Sequence, residues 1–348
     1  MSGQQLPQPR RAVVFGAGGV LGFAWMLGAM SAYEDVTGNH LHEFDIAVGT
    51  SAGSAAAAML ACGLPVSVVA RHHQGMSDAD DPVLDYDYTG TGAALPPRPG
   101  WRPGAPQLFW GAIRPPRSIH PIVALTGLLP AGRGSLEPVY RFVQAVAHDA
   151  GFDTVWPTHP RPWIVVTDYK TGRRVVFGRN IFPAGAVRPI RTARLADAVV
   201  ASCSIPAWYP PMVIDGVPYI DGGTSSNASV DVLLDTPVEE VVVFAPMASV
   251  DADRGRGAIA RGERILRRAI TKGILADVTR LRLAGKRVQV ITPGPADLEA
   301  MGVNLMDPSR RIDVFETARV TAAATVRRQL ALRRPVEIPD EIASDETA

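Results

Sequence analysis

Apolar positions come in short blocks separated by glycine, proline and polar clusters. Residues 11–15 form an apolar block of strand length, followed by a glycine cluster and the apolar run 23–33, which reads as a buried helix. The apolar end of 42–48 predicts a second strand. Small residues follow at 49–54, then an alanine-rich helix to Ala61 that Gly63-Leu64-Pro65 stops. Further along, 137–150 reads as a helix, 163–167 and 174–177 as strands around the turn 170–173, and 195–202 as a short helix before Pro206, Pro210 and Pro211. Asp215-Gly216 breaks 213–220 into a hairpin. Residues 240–244 and 288–291 are buried-strand candidates, and 312–334 predicts the last long helix. Interleaved buried strands and helices point to an α/β fold with a mainly parallel central sheet.

Residues 1–10 are polar and read as a loose N-terminus, 11–335 as one domain, and 336–348 as an exposed tail with five acids and no base. Inside the domain, 81–134 carries ten prolines, which disfavour core ladders and helices. Trp101, Phe109 and Trp110 in this segment still favour burial. A proline-rich cap over one end of the sheet and an irregular surface insertion both fit.

Between Arg11 and Glu34 lie 22 uncharged residues, a length that spans a bilayer or forms a signal-peptide core. Five glycines within it, four of them at 16–22, favour instead a strand, a turn and a buried helix. The protein is read as cytoplasmic.

Composition narrows the classes further. The 348 residues are 47% hydrophobic, enough for a sizeable core, and 35 Lys and Arg balance 34 Asp and Glu at a net charge of +1. No global charge calls for nucleic acid. Cys62 and Cys203 form neither a disulfide framework nor a metal-ligand cluster, so a reducing compartment suffices and no metal is expected.

Gly49-Thr50-Ser51-Ala52-Gly53 has the spacing of a nucleophile elbow, and it stands between an apolar strand and an alanine-rich helix. Small neighbours let a sharp strand-to-helix turn expose Ser51, the nucleophile candidate. The glycine turn after the first strand supplies backbone amides on the same rim of a parallel sheet, and Gly18 and Gly19 are the oxyanion-hole candidates. A dinucleotide site is the rival reading of that turn. Its strict spacing requires glycine where Leu21 stands, and it leaves Ser51 without a role. None of the seven histidines occupies a position expected of a base. Asp221, after the apolar Tyr219-Ile220 and before Gly222-Gly223, is the acid/base candidate, because partial burial would raise its pKa toward a useful value. An Asx-turn role before the glycines is the plain alternative.

Three separated blocks together resemble the patatin-like phospholipases, which are serine-aspartate acyl hydrolases. They are Gly16-Ala17-Gly18-Gly19-Val20-Leu21-Gly22, then Gly49-Thr50-Ser51-Ala52-Gly53, and finally 201–211 followed by Asp221-Gly222-Gly223. The resemblance covers roughly 11–245, and the last hundred residues are similar to those of bacterial, in particular actinobacterial, members. It implies a three-layer sandwich and a cofactor-free mechanism. Asp221 would activate Ser51, and the amides of Gly18, Gly19 and Ala52 would hold the oxyanion. Gly16, Gly22, Gly49, Gly53, Gly222 and Gly223 would shape the supporting loops. The expected substrate is a lipid or other acyl ester, and the alternative is a catalytically weak relative that binds a lipid or acyl group.

One position departs from the family pattern. Leu21 stands where the family commonly carries Arg or Lys, which favours a neutral ester over a charged head group. Phe23, Trp25, Met26, Trp208 and Tyr209 are acyl-pocket candidates, although Trp25 and Met26 equally fit the core of the first helix. Residues 254–287 hold eleven bases against two acids, interleaved with leucine and isoleucine. That pattern fits either peripheral docking on an anionic membrane or a core-facing helix with a charged outer face. A homo-oligomer stays open.

Overall fold

A computed structural model describes residues 9–84, 86, 129, 132–179, 193–250 and 258–332, with side chains in the last segment from 264 onward. Nearly all of the 81–134 segment, and hence the cap expected there, lies outside the described residues, as do the acidic tail and most of the N-terminus.

Eight strands among the described residues form one sheet. They are β1 (Arg11–Phe15), β2 (Ile46–Thr50), β3 (Arg161–Asp168), β4 (Arg174–Phe177), β5 (Met212–Ile214), β6 (Val217–Asp221), β7 (Glu240–Phe244) and β8 (Arg287–Ile291). The order is β5-β6-β3-β2-β1-β7-β8, with β4 also on β3, and the sheet is mixed around a parallel run. Strands β3, β2, β1, β7 and β8 are parallel, but β4, β5 and β6 join antiparallel. Strand direction is set by which edge a hairpin docks on, and a local apolar run carries no record of that.

Helices cover both faces. On one side lie α1 (Gly19–Thr37), α2 (Ala52–Ala61), α3 (Val66–Gln74), α4 (Glu137–Asp149), α5 (Leu195–Cys203) and the C-terminal α8 (Arg311–Ala331), which share a core with Val13, Phe15, Ile164 and Phe244. Behind the other face lies α6 (Ala258–Leu283), whose Ile274, Val278 and Leu281 pack on Val14, Val48 and Val243. A short α7 (Pro295–Met301) precedes α8.

Two features of the sequence resolve here. The uncharged run after Arg11 is β1 plus a helix buried on nearly all sides, and no helix among the described residues is long and apolar enough to cross a membrane. Helix α6 buries Arg267, Thr271, Ile274, Val278 and Leu281, while Leu266, Leu275 and Leu283 stay exposed. Buried positions spaced three and four apart mark a helix laid on the sheet by one stripe.

Candidate active site

Strand β2 ends at Thr50, and Ser51 turns the chain into α2 with φ of +54°. With ψ of −127° this is a sparsely populated backbone conformation that costs a residue with a side chain about 1–3 kcal/mol. The turn is tight enough that a Cβ at Gly49 would strike the Gly53 carbonyl, and one at Gly53 would strike that of Phe15. Three bonds hold it. The Ser51 carbonyl accepts from the Ser54 amide (2.7 Å) and from the Ser54 hydroxyl (2.6 Å). The Ser51 amide donates to Ser202 Oγ (2.8 Å), and that buried hydroxyl donates onward to the Val165 carbonyl (2.6 Å).

Strand β3 explains why Asp221 arrives beside this turn. Its residues Ile164 to Thr167 pair with β4 along one edge. The opposite edge is shared: β2 pairs up to Thr50↔Val165, and β6 takes over with Val166↔Asp221. Asp221 therefore continues the edge that β2 leaves at Ser51. Its amide donates to the Ser204 carbonyl (3.0 Å), and its own carbonyl accepts from Thr224 Oγ1 (2.7 Å). The carboxylate accepts from the Gly223 amide (2.7 Å at Oδ1). Burial pushes the Asp221 pKa up to about 6, against the lowering influence of the nearby Ser51 hydroxyl and the Gly223 amide. Since α5 supplies Ser202 to the elbow and the chain just after it supplies Ser204 to β6, one segment ties both groups.

At the end of β1 the glycine turn is braced from several sides. The Gly16 amide donates to the Phe244 carbonyl, that of Ala17 to the Asn227 carbonyl and that of Leu21 to the Leu305 carbonyl, each at 2.9 Å. Gly22 closes the turn onto the Gly18 carbonyl. The amides of Gly18, Gly19 and Ala52 make no hydrogen bond among the described residues, in keeping with their places at helix starts. Helix α1 begins at Gly19, four residues before the expected start, so these donors belong to a helix N-terminus and share its positive end. Gly19 has φ of +62°, and a Cβ there would come within 2.8 Å of Met306 Sδ.

Gly19, Ser51 and Ala52 share the wall of one cleft with Val20, Phe23, Ala55, Val139, Phe142, Ile205, Tyr209 and Met306. No acid or base lines it among the described residues. Cys203 also reaches this wall, with burial pushing its thiol up to about 12, so it offers no competing nucleophile. Of the acyl-pocket candidates, Phe23 and Tyr209 lie on the wall, and half-buried Trp208 packs behind with Tyr209. Trp25 and Met26 correct the expectation: both are fully buried in the core under α1. Leu21 is likewise fully buried, away from the cleft wall. Sequence reasoning did not single out Ser202, Val139, Phe142 or Met306. The apolar spacing of α4 marks Val139 and Phe142 as one face, but only the fold shows what that face meets.

The elbow thus sets a buried serine where β2 ends, and β6 continues the same edge of β3 with a buried carboxylate of raised pKa. The sequence model of the patatin-like phospholipase family matches residues 13–234, well over half of the chain, and the chain belongs to that family. Membership implies hydrolysis by a Ser-Asp dyad in general, on lipid or other acyl substrates. No curated protein is similar enough to this chain to count as a relative.

Proposed function

We propose that this protein is a serine esterase that cleaves carboxylic esters of lipids through an acyl-enzyme on Ser51. The observation that supports the reading is the shared edge of β3, on which the buried carboxylate of raised pKa at Asp221 follows directly after the end of β2 at the elbow.

Ser51 Oγ attacks the ester carbonyl carbon while its proton passes to Asp221. The carbonyl oxygen, now negative, takes hydrogen bonds from the amides of Gly18, Gly19 and Ala52, each such donor being worth about 3–4 kcal/mol in the transition state. As the tetrahedral adduct collapses, the alcohol leaves with the proton from Asp221. Water then gives a proton to Asp221 and attacks the acyl-serine. The released acid leaves Ser51 with its proton restored. No step needs a cofactor. A carboxylate near its ordinary pKa is a weak base toward a hydroxyl, so the raised value at Asp221 supports the role.

The apolar cleft wall favours an acyl chain over a charged group, and the buried Leu21 offers no cation to an anionic head group. A neutral ester is the substrate class this supports. Hydrolysis of a short-to-long series of nitrophenyl acyl esters tests the activity, run beside folded Ser51→Ala and Asp221→Asn proteins. Loss in both variants supports the dyad, and full activity in Ser51→Ala overturns it. Equal turnover of an anionic phospholipid and a neutral glyceride would overturn the neutral preference.

A further inference from the structure

We propose that Glu34, His40 and His42 form a binding site for a divalent metal ion of the zinc class, separate from the Ser51 cleft. Glu34 lies in the last turn of α1, and the two histidines flank Leu41 at the start of the short 3-10 turn Leu41–Glu43. Each of the three offers one ligand atom, and these atoms lie within 4.8 Å of one another. Two imidazoles and a carboxylate form a donor set that suits zinc, nickel or copper and does not suit magnesium or calcium.

The cluster is held in place by bonds that leave its ligand atoms available. Gly38 reverses the chain at the end of α1 with φ of +67°, bringing the following residues back toward Glu34. Glu34 Oε1 accepts from the Leu41 amide (2.8 Å), which orients the carboxylate as an outer-shell donor would, and its Oε2 lies 3.7 Å from His40 Nδ1. Leu41 is fully buried and anchors the turn, while the rings of His40 and His42 stack at 5.5 Å. Arg11 is engaged with Asn39 (3.1 Å), Glu43 (3.8 Å) and the Phe44 ring (4.6 Å).

An ordinary ion pair between Glu34 and His40 accounts for two of the three groups. It does not account for His42, whose Nδ1 is buried with no hydrogen-bond partner among the described residues. A buried ring nitrogen without a partner is unfavourable, and a metal bond would satisfy it. Ligands at about 2.0–2.2 Å from a tetrahedral ion stand about 3.3–3.6 Å apart, so the three groups, now within 4.8 Å of one another, need close only slightly around an ion. The fourth position would be left to water. The cluster precedes β2 at the end opposite Ser51, with about 16 Å of strand between Ile46 and Ser51. A bound ion would thus join α1 to β2 without touching the cleft.

The test uses the full chain, stripped with chelator and titrated calorimetrically with zinc chloride, and its readout is independent of ester hydrolysis. We expect one zinc per chain, no binding of magnesium, and a melting temperature that rises with zinc. Glu34→Gln, His40→Ala and His42→Gln should each weaken zinc binding at least about tenfold. The same variants should leave ester hydrolysis unchanged. Glu34→Gln keeps an acceptor for the Leu41 amide, so it carries the test if a histidine variant fails to fold. Absence of zinc binding, or binding undiminished in Glu34→Gln and in the double histidine variant, overturns the site.

Discussion

Strands β1 and β2 run side by side, in register from Ala12↔Ile46 to Phe15↔Gly49, and each hands over to a helix at the same rim. The two turns solve opposite problems. After β1 the positive φ falls on Gly19, where it is free of strain, and the amides of Gly18 and Gly19 carry no bond among the described residues. After β2 the positive φ falls on Ser51, where it costs energy, and both backbone groups of that residue are bonded. One turn leaves its backbone donors free and has no side chain to present. The other locks its backbone so that one side chain is aimed. In the proposed mechanism the β1 turn supplies oxyanion donors alone, while the β2 turn supplies the nucleophile together with the Ala52 amide.

That division is broken most severely at the aimed side chain. Ser51→Ala should lower kcat by at least about 10³-fold while the fold melts as before, as steady-state ester hydrolysis and thermal melting would show together. Asp221→Asn should cost about 10²–10⁴-fold, the usual contribution of a positioned base. In the unaltered protein, kcat/KM should fall tenfold per pH unit below about 6, because Asp221 acts only when ionised.

Disturbing the donor turn should do less. Gly19→Ala forces a side chain into positive φ and against Met306, shifting one amide, and should reduce kcat about 10²-fold with KM little changed. Next comes the bond that locks the elbow. Ser202 touches no substrate and acts through the Ser51 amide, so Ser202→Ala should reduce kcat about tenfold. Restoration by Ser202→Thr, but not by Ser202→Cys, would separate positioning from packing.

The smallest effect is on stability, and its sign is opposite to that on activity. The folded pKa of Asp221, about 6, lies above its ordinary 3.8. Its contribution therefore favours the fold below about pH 4 and is lost as pH rises through 6. Above that range the buried charge costs about 3 kcal/mol at most. Asp221→Asn should raise the melting temperature at about pH 8 and leave it nearly unchanged at about pH 4.

The local parts of this site are legible in the sequence because their causes are local. A sharp elbow needs small residues around Ser51, a buried parallel strand reads as an apolar run, and Asp215-Gly216 turns β5 into β6 with positive φ at both residues. Long-range choices are not legible. The bond from the Ser51 amide to Ser202 spans 151 positions, and nothing at either end marks its partner. Met306 reaches the cleft from beyond the last strand. In α1, apolar residues occur all around the helix, so no stripe separates Phe23 on the cleft wall from Trp25 and Met26 in the core. Nor does the glycine run show that α1 starts at Gly19, because propensity favours a loop there and packing overrides it.

In the proposed reaction Ser51 carries the acyl group and Asp221 puts it there. The direct measurement is intact-protein mass spectrometry on samples acid-quenched during the first turnovers of a nitrophenyl ester, with the adduct located by peptide mapping. The expected result is an acyl group on the peptide holding Ser51, accumulating in the unaltered protein, slowed severely in Asp221→Asn and absent in Ser51→Ala. An adduct on any other residue, or rapid hydrolysis by Ser51→Ala, would contradict it.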